Sequence, residues 1–394
     1  MKLTVRFCDR FWTAVFLLAA ATPLGGLAAE MQASPFTREV GDAAALVSQL
    51  GDSRFVARER AAESLIQIGL PAITALEQGI TNPDREVRYR SQRALRIIRQ
   101  QDFLRRLDAF SRSSDSQQDY DLPAWQWFRS LVGDDGDARV LFVEMQRAEP
   151  ELLAAFAASQ ATDSAADQAQ LAELVDLRVQ QIQSSLSQFP DPAMSGSIAT
   201  LLFVGSDEKV NLSDLANDAL TEFCYQDGFA RLIEIESKGK VLKKVLGAAI
   251  QNAEGFTTYR WLALAIRHDL PEGLAPAERE LKRSGSPPHV ILYALLTFGR
   301  LGNETHIAML EPFLDDHTPY TTRPMKDDKS QVQVQFCDIA LAAMVHLAKQ
   351  NPKDFGLTAP PSDEFLFTVE YLGFESDELR NAAIAKWRAF RQKS

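Results

Sequence analysis

Apolar residues between positions 44 and 99 recur at spacings of three and four, the period of a helix with one buried face. Ile73, Leu76 and Ile80 mark one such stripe. Val87, Ala94, Leu95 and Ile98, with Ser91 among them, mark the next. Pro71 stands where a helix start tolerates a missing N–H. Asn82-Pro83 breaks the first helix, and Asp84 is placed to cap the second. The stripes repeat at an offset of thirty residues. Laying Leu50–Gly69 over Ile80–Arg99 aligns Leu50 with Ile80, Asp52 with Asn82, Arg58 with Arg88 and Arg60 with Arg90. Ala61 meets Ser91, Leu65 meets Leu95, Ile68 meets Ile98, and upstream Leu46 meets Leu76. A single helix pair cannot bury its stripe alone, so the pattern predicts stacked units.

The run Asn82, Pro83, Asp84, Val87, Arg88, Ala94 and Leu95 resembles a HEAT repeat, including the HEAT-like units of phycobilisome lyases. Pro287–Asp316 and the following Val334–Gln350 resemble a second such stretch. The resemblance covers roughly a third of the chain. It implies an all-α fold, an armadillo-like α-solenoid of helical hairpins, whose usual work is protein binding, with enzymes as a minority. It also implies that the second helix of each pair lines the concave surface.

The rest of the chain predicts an irregular helical middle and a long inserted loop. Residues 30–110 carry the N-terminal repeats, and the polar stretch 111–124 reads as a linker. Residues 125–189 form a long helical segment, with Trp125–Ala158 and Ala165–Phe189 as two long helices. Residues 190–394 form a C-terminal HEAT-like array with an inserted loop over 315–332. The last helix begins at Ser376, with Asp377 and Glu378 in its first turn and Ala383, Trp387 and Phe390 facing inward. The only tidy strand-like alternation is Val332–Phe336, "VQVQF".

Charge and termini narrow the function classes. Residues 1–29 have the pattern of a secretory signal peptide: Lys2, Arg6 and Arg10, then the apolar run Phe11–Ala21, then small residues with cleavage after Ala28 or Ala29. That predicts export to a periplasmic or extracellular compartment. The retained-anchor alternative stays open; no later run is apolar and long enough to span a membrane. The net charge of -11 over 394 residues argues against a general nucleic-acid binder. Cys224 and Cys337 remain beyond the leader, without a CxxC, and the stacking predicts two free, buried thiols in apolar settings.

Candidate chemistry is sparse. No cofactor or metal motif is present: the five histidines lack metal-ligand spacing, and the Asp134, Asp135, Asp137 cluster lacks the alternation of a calcium loop. Thr81–Gln100 holds six arginines and no lysine. Arg85, Arg96 and Arg99, with Gln92, lie opposite the apolar stripe and Arg88 flanks them, where guanidinium forks could grip an anionic partner. The alternative is a solvated face in which Arg88 is a structural residue of the repeat. Lys238, Lys240, Lys243 and Lys244 read as a solvated helix start. The stretch Leu314–Gln331, with His317, Tyr320, Arg323 and several aspartates, is long enough to be functional. The leading expectation is a non-catalytic scaffold binding a protein or polymer partner, of open oligomeric state. The rival is an enzyme drawing its chemistry from loop 314–331.

Overall fold

The computed structural model describes residues 35–113, 115, 118–162, 164–186, 195–324, 331–357 and 365–392. The expected signal peptide lies outside them. The described residues are mostly helical, with eighteen α-helices and one two-stranded sheet. None of those helices is long and apolar enough to cross a membrane. The chain divides into two compact units at Phe103 and Leu104.

In the first unit α1 is Pro35–Gln49, α2 is Phe55–Ile68, α3 is Ile73–Ile80, and α4 begins at Arg85 and continues to Arg112 in the second unit. The thirty-residue offset is a physical equivalence. Arg58 donates to the carbonyls of Asp52 (2.8 Å) and Ser53 (3.2 Å), and Arg88 donates to those of Asn82 (2.8 Å) and Pro83 (2.7 Å). Each guanidinium thus closes the turn before its own helix. Asp84 accepts from the Glu86 amide at 2.8 Å, as a capping residue does. Leu50, Leu65, Leu76, Val87, Ala94, Leu95 and Ile98 form the buried core of this unit. Gly79 lets α3 approach α4 closely: a Cβ there would lie 2.3 Å from Ser91 Oγ.

The second unit continues with α5 (Trp125–Val132), α6 (Gly136–Ala148), α7 (Pro150–Thr162), α8 (Ala165–Leu186) and α9 (Ser195–Gly205). Next come α10 (Asp214–Tyr225), α11 (Asp227–Glu234), α12 (Glu236–Gln251), α13 (Thr258–Arg267), α14 (Leu274–Lys282) and α15 (Pro288–Leu301). The chain closes with α16 (Ile307–Leu310), α17 (Phe336–Leu347) and α18 (Asp377–Arg391). One hydrophobic core of this unit gathers α13–α18 around Leu295, Phe298, Phe336, Met344 and Trp387.

Three expectations are corrected here. Trp125–Ala158 is three helices rather than one. Gly133, at φ 100°, ends α5, and Asp135 caps α6 through the Ala138 amide at 2.8 Å. Pro150 then opens α7, since it cannot continue α6. The second helix expected in Pro287–Asp316 is a four-residue α16 flanked by 3-10 turns. The inserted loop over 315–332 is in good part a β-hairpin: β1 (Pro319–Pro324) pairs antiparallel with β2 (Gln331–Gln335), Thr321 facing Val334 and Arg323 facing Val332. Val332 and Val334 are buried while Gln331 and Gln333 are exposed, so the "VQVQ" alternation is the two faces of a strand. At the C-terminal end Ser376 caps α18 through the Leu379 amide.

One half-buried imidazole couples this unit to pH. The His268 ring packs edge-on against Phe229, and its Nε2 is buried without a hydrogen-bond partner. Burial, with Lys243 and Arg267 adding like charge and Asp269 opposing them, lowers its pKa from 6.5 to about 4. Between those values the unfolded chain binds a proton that the native chain refuses. The stability it contributes is complete above pH 6.5 and is lost as pH falls toward 4. His268→Gln is expected to flatten that slope, measured as urea midpoints between about pH 7.5 and 4.5.

Candidate functional site

The arginines of α4 divide into distinct groups once their neighbours are known. Arg88 is held by the two turn carbonyls. Arg90 is buried and bridges Glu59 and Glu86, each at 2.7 Å, while Arg58 reaches Glu86 at 3.3 Å. Both Arg58 and Arg90 also lie over the Phe55 ring, at 5.7 and 5.8 Å. This network clamps α2 to α4. Arg99 pairs with Glu77 at 2.8 Å across an exposed surface, an interaction of little energetic weight. Arg85 and Arg96 are exposed and make no hydrogen bond or ion pair among the described residues. They are eleven residues apart, about 16 Å along the helix axis and within about 20° of the same face. Tyr89, 60% exposed, and Gln92 lie on that face between them.

Residues 42–103 hold nine arginines, no lysine and eight carboxylates. A chain of net charge -11 therefore gathers unpaired cations on one face of one helix. At the stripe positions of the preceding helix stand Phe55, Ala62, Ile66 and Gly69, so α2 does not extend the basic surface.

The hairpin carries a second constellation, which sequence reasoning did not assemble. Cys337, at the N-terminal end of α17, has its Sγ 3.6 Å from His317 Nδ1, 3.5 Å from Gln335 Oε1 and 3.7 Å from Asp338 Oδ1. His317 Nδ1 also lies 3.1 Å from Gln335 Oε1. Asp338 accepts from the Gln335 amide at 2.9 Å and from Arg380 Nε at 2.7 Å, and Arg380 Nη2 donates to the Gln333 carbonyl at 2.9 Å. Arg380 also pairs with Asp377. Asp338 and Arg380 are both buried, so this is an internal ion pair tying α18 to α17 and β2. The spacing Gln335-x-x-Asp338 is a capping pattern, the one local signal that could have placed Asp338.

The Cys337 setting is therefore polar, contrary to the apolar one expected, while both thiols are free and buried. Burial first, then the Asp338 carboxylate, pushes the Cys337 thiol up to about 12. Burial alone raises the Cys224 thiol. The amides of Phe336 and Cys337 are occupied by the carbonyls of Thr318 and Asp316, so the α17 N-terminus presents neither as an oxyanion donor.

The other charged clusters have structural work. Asp134 pairs with Arg139 at 2.8 Å, and Asp135 is the α6 cap. Lys238 pairs with Glu144, and Lys244, itself exposed, donates to the Val132 carbonyl, so these two lysines tie α12 to the chain as well as facing solvent. Comparison with known protein families gives no match, and no curated protein matches the chain. The class defined by the fold is a mostly helical protein of two compact units, with an exposed guanidinium pair on one helix.

Proposed function

We propose that this chain is a non-catalytic helical-repeat scaffold that binds an acidic segment of a protein partner through α4. In this reading the thirty-residue units are HEAT-like hairpins stacked as a solenoid, and the leader directs export. An N-terminus at Ala29 or Glu30 on the mature protein is the expected result for export, checked by mass spectrometry.

The observation that carries the binding reading is the pair Arg85 and Arg96, unpaired and flanking exposed Tyr89. A guanidinium offers a planar fork matched to a carboxylate, and Tyr and Arg dominate the energetic centres of interfaces. Arg88 and Arg99 stand on the same helix but are engaged within the chain. The partner surface is thus centred on Arg85, Tyr89, Gln92 and Arg96. The contact of Cys337 with His317 is the one observation favouring catalysis. A thiol that is buried and held near 12 is a poor nucleophile, so the scaffold reading is preferred.

Poly-L-glutamate serves as the probe. Arg85→Gln with Arg96→Gln is expected to weaken its binding about tenfold and to flatten the salt dependence, with the melting temperature unchanged. Binding that keeps its affinity and its salt dependence in the double variant would return α4 to a solvated face.

A further inference from the structure

We propose that the cavity between the turn 118–124 and helices α5 and α7 is a saccharide-binding site. It encloses about 450 Å³ and is lined by Asp119, Asp121, Trp125, Gln126, Trp127 and Arg129, with two alanines of α7 as its floor. The volume lies in the lower part of the range for ligand clefts, about 300–1,000 Å³, and suits a short oligosaccharide. The inference uses residues of the second unit alone and is independent of the α4 reading.

The distribution of indoles is the first argument. Trp261 and Trp387 are fully buried core residues. Trp125 and Trp127 are half-buried, and both line this cavity. Neighbouring rings fix them: Trp125 packs on Phe110 and Phe142 at 4.7 and 5.0 Å, and Trp127 meets Phe156 edge-to-face at 6.0 Å. Among the described residues neither indole N–H makes a hydrogen bond within the protein, and both side chains are only half-buried. An indole face attracts weakly positive C–H groups, which the apolar face of a sugar ring presents.

The turn supplies the second argument, because it is held open at a cost. Asp121 and Ala124 have left-handed backbones, at φ 49° and 68°. Aspartate tolerates that region, but alanine has no side chain to compensate, so the conformation is unfavourable there. Several bonds enforce it. Arg106 donates to the carbonyls of Tyr120 (3.2 Å) and Asp121, Asp119 accepts from the Asp121 amide at 2.8 Å, and buried Gln146 donates to the Pro123 carbonyl at 2.6 Å. The result is a rigid rim whose polar groups are already in place.

The third argument is the mixture of donors and acceptors. The Asp121 carboxylate is shared with Arg106 at 3.3 Å yet remains almost fully exposed. Asp119, Gln126 and Arg129 are exposed as well. Adjacent sugar hydroxyls both donate and accept, so carboxylates beside an amide, a guanidinium and indole N–H groups complement them. A proline-rich peptide is the competing occupant of an aromatic cleft. Its backbone offers mainly acceptors, which leaves the two carboxylates unmatched.

The test titrates the full mature chain with cellotetraose, chitotetraose and maltotetraose, reading tryptophan emission and calorimetric heat. At least one is expected to saturate an emission change, with Kd on the order of 0.1–1 mM. Trp127→Ala should weaken that binding at least tenfold, Trp127→Phe less, and Asp121→Asn and Arg129→Gln should each weaken it severalfold, with circular dichroism unchanged. No response to any of the three sugars, equal affinity in Trp127→Ala, or a response to poly-L-proline alone would each overturn the proposal.

Discussion

Asp338→Ala is expected to destabilise the chain by about 3–5 kcal/mol, among the largest effects of a single side chain here. Asp338 is fully buried, and its carboxylate takes hydrogen bonds from the Gln335 amide and from Arg380. Its loss strands the buried Arg380 guanidinium with the exposed Asp377 and one carbonyl. The penalty is the desolvation of that uncompensated charge rather than the worth of the pair. Asp338→Leu with Arg380→Met should therefore recover most of it, because neither partner then needs solvation. Urea unfolding of the three chains measures both numbers. A single variant within about 1 kcal/mol of the parent would mean that the pair does not hold α18.

Leu95→Asp is expected to melt the first unit, while Gln92→Asp, three residues earlier on the same helix, is expected to be silent. Leu95 is 3% exposed among the core of α1–α4, and Gln92 is exposed on the opposite face. The core substitution loses about 2–5 kcal/mol of packing and adds the cost of a buried, unpaired carboxylate. A unit of this size has little more than that to lose. Hydrogen exchange on the full chain reads the result locally: protection within residues 42–103 should collapse in Leu95→Asp and persist in Gln92→Asp. Retained protection in Leu95→Asp would remove Leu95 from the core.

The parts of the fold legible in the sequence are those made by residues close along the chain. Asp84 and Ser376 cap their helices because a cap bonds amides two or three residues on. Arg58 and Arg88 recur at thirty residues because each closes a turn only five and six residues behind it. The hairpin was half legible: the alternation of Val332 and Val334 was visible, but its partner strand has no comparable pattern, and pairing is what makes a strand. Trp125–Ala158 reads as one helix in sequence because apolar periodicity carries across the breaks that Gly133 and Pro150 impose.

By itself the sequence determined the mostly helical character of the chain, its thirty-residue unit, and which helix faces are apolar. Tertiary structure alone decided which charged groups are left without a hydrogen bond or ion pair among the described residues. The six arginines of Thr81–Gln100 look alike in sequence. Glu59, on α2, consumes Arg90, and Glu77, on α3, engages Arg99, at separations of 31 and 22 residues. Cys337 meets His317, and Asp338 meets Arg380, across 20 and 42 residues. Helical periodicity tells which way a side chain points, but not what the next helix places in front of it. Desolvation and ion pairing depend on that second fact, so the availability of Arg85 and Arg96 could be read only from the folded chain.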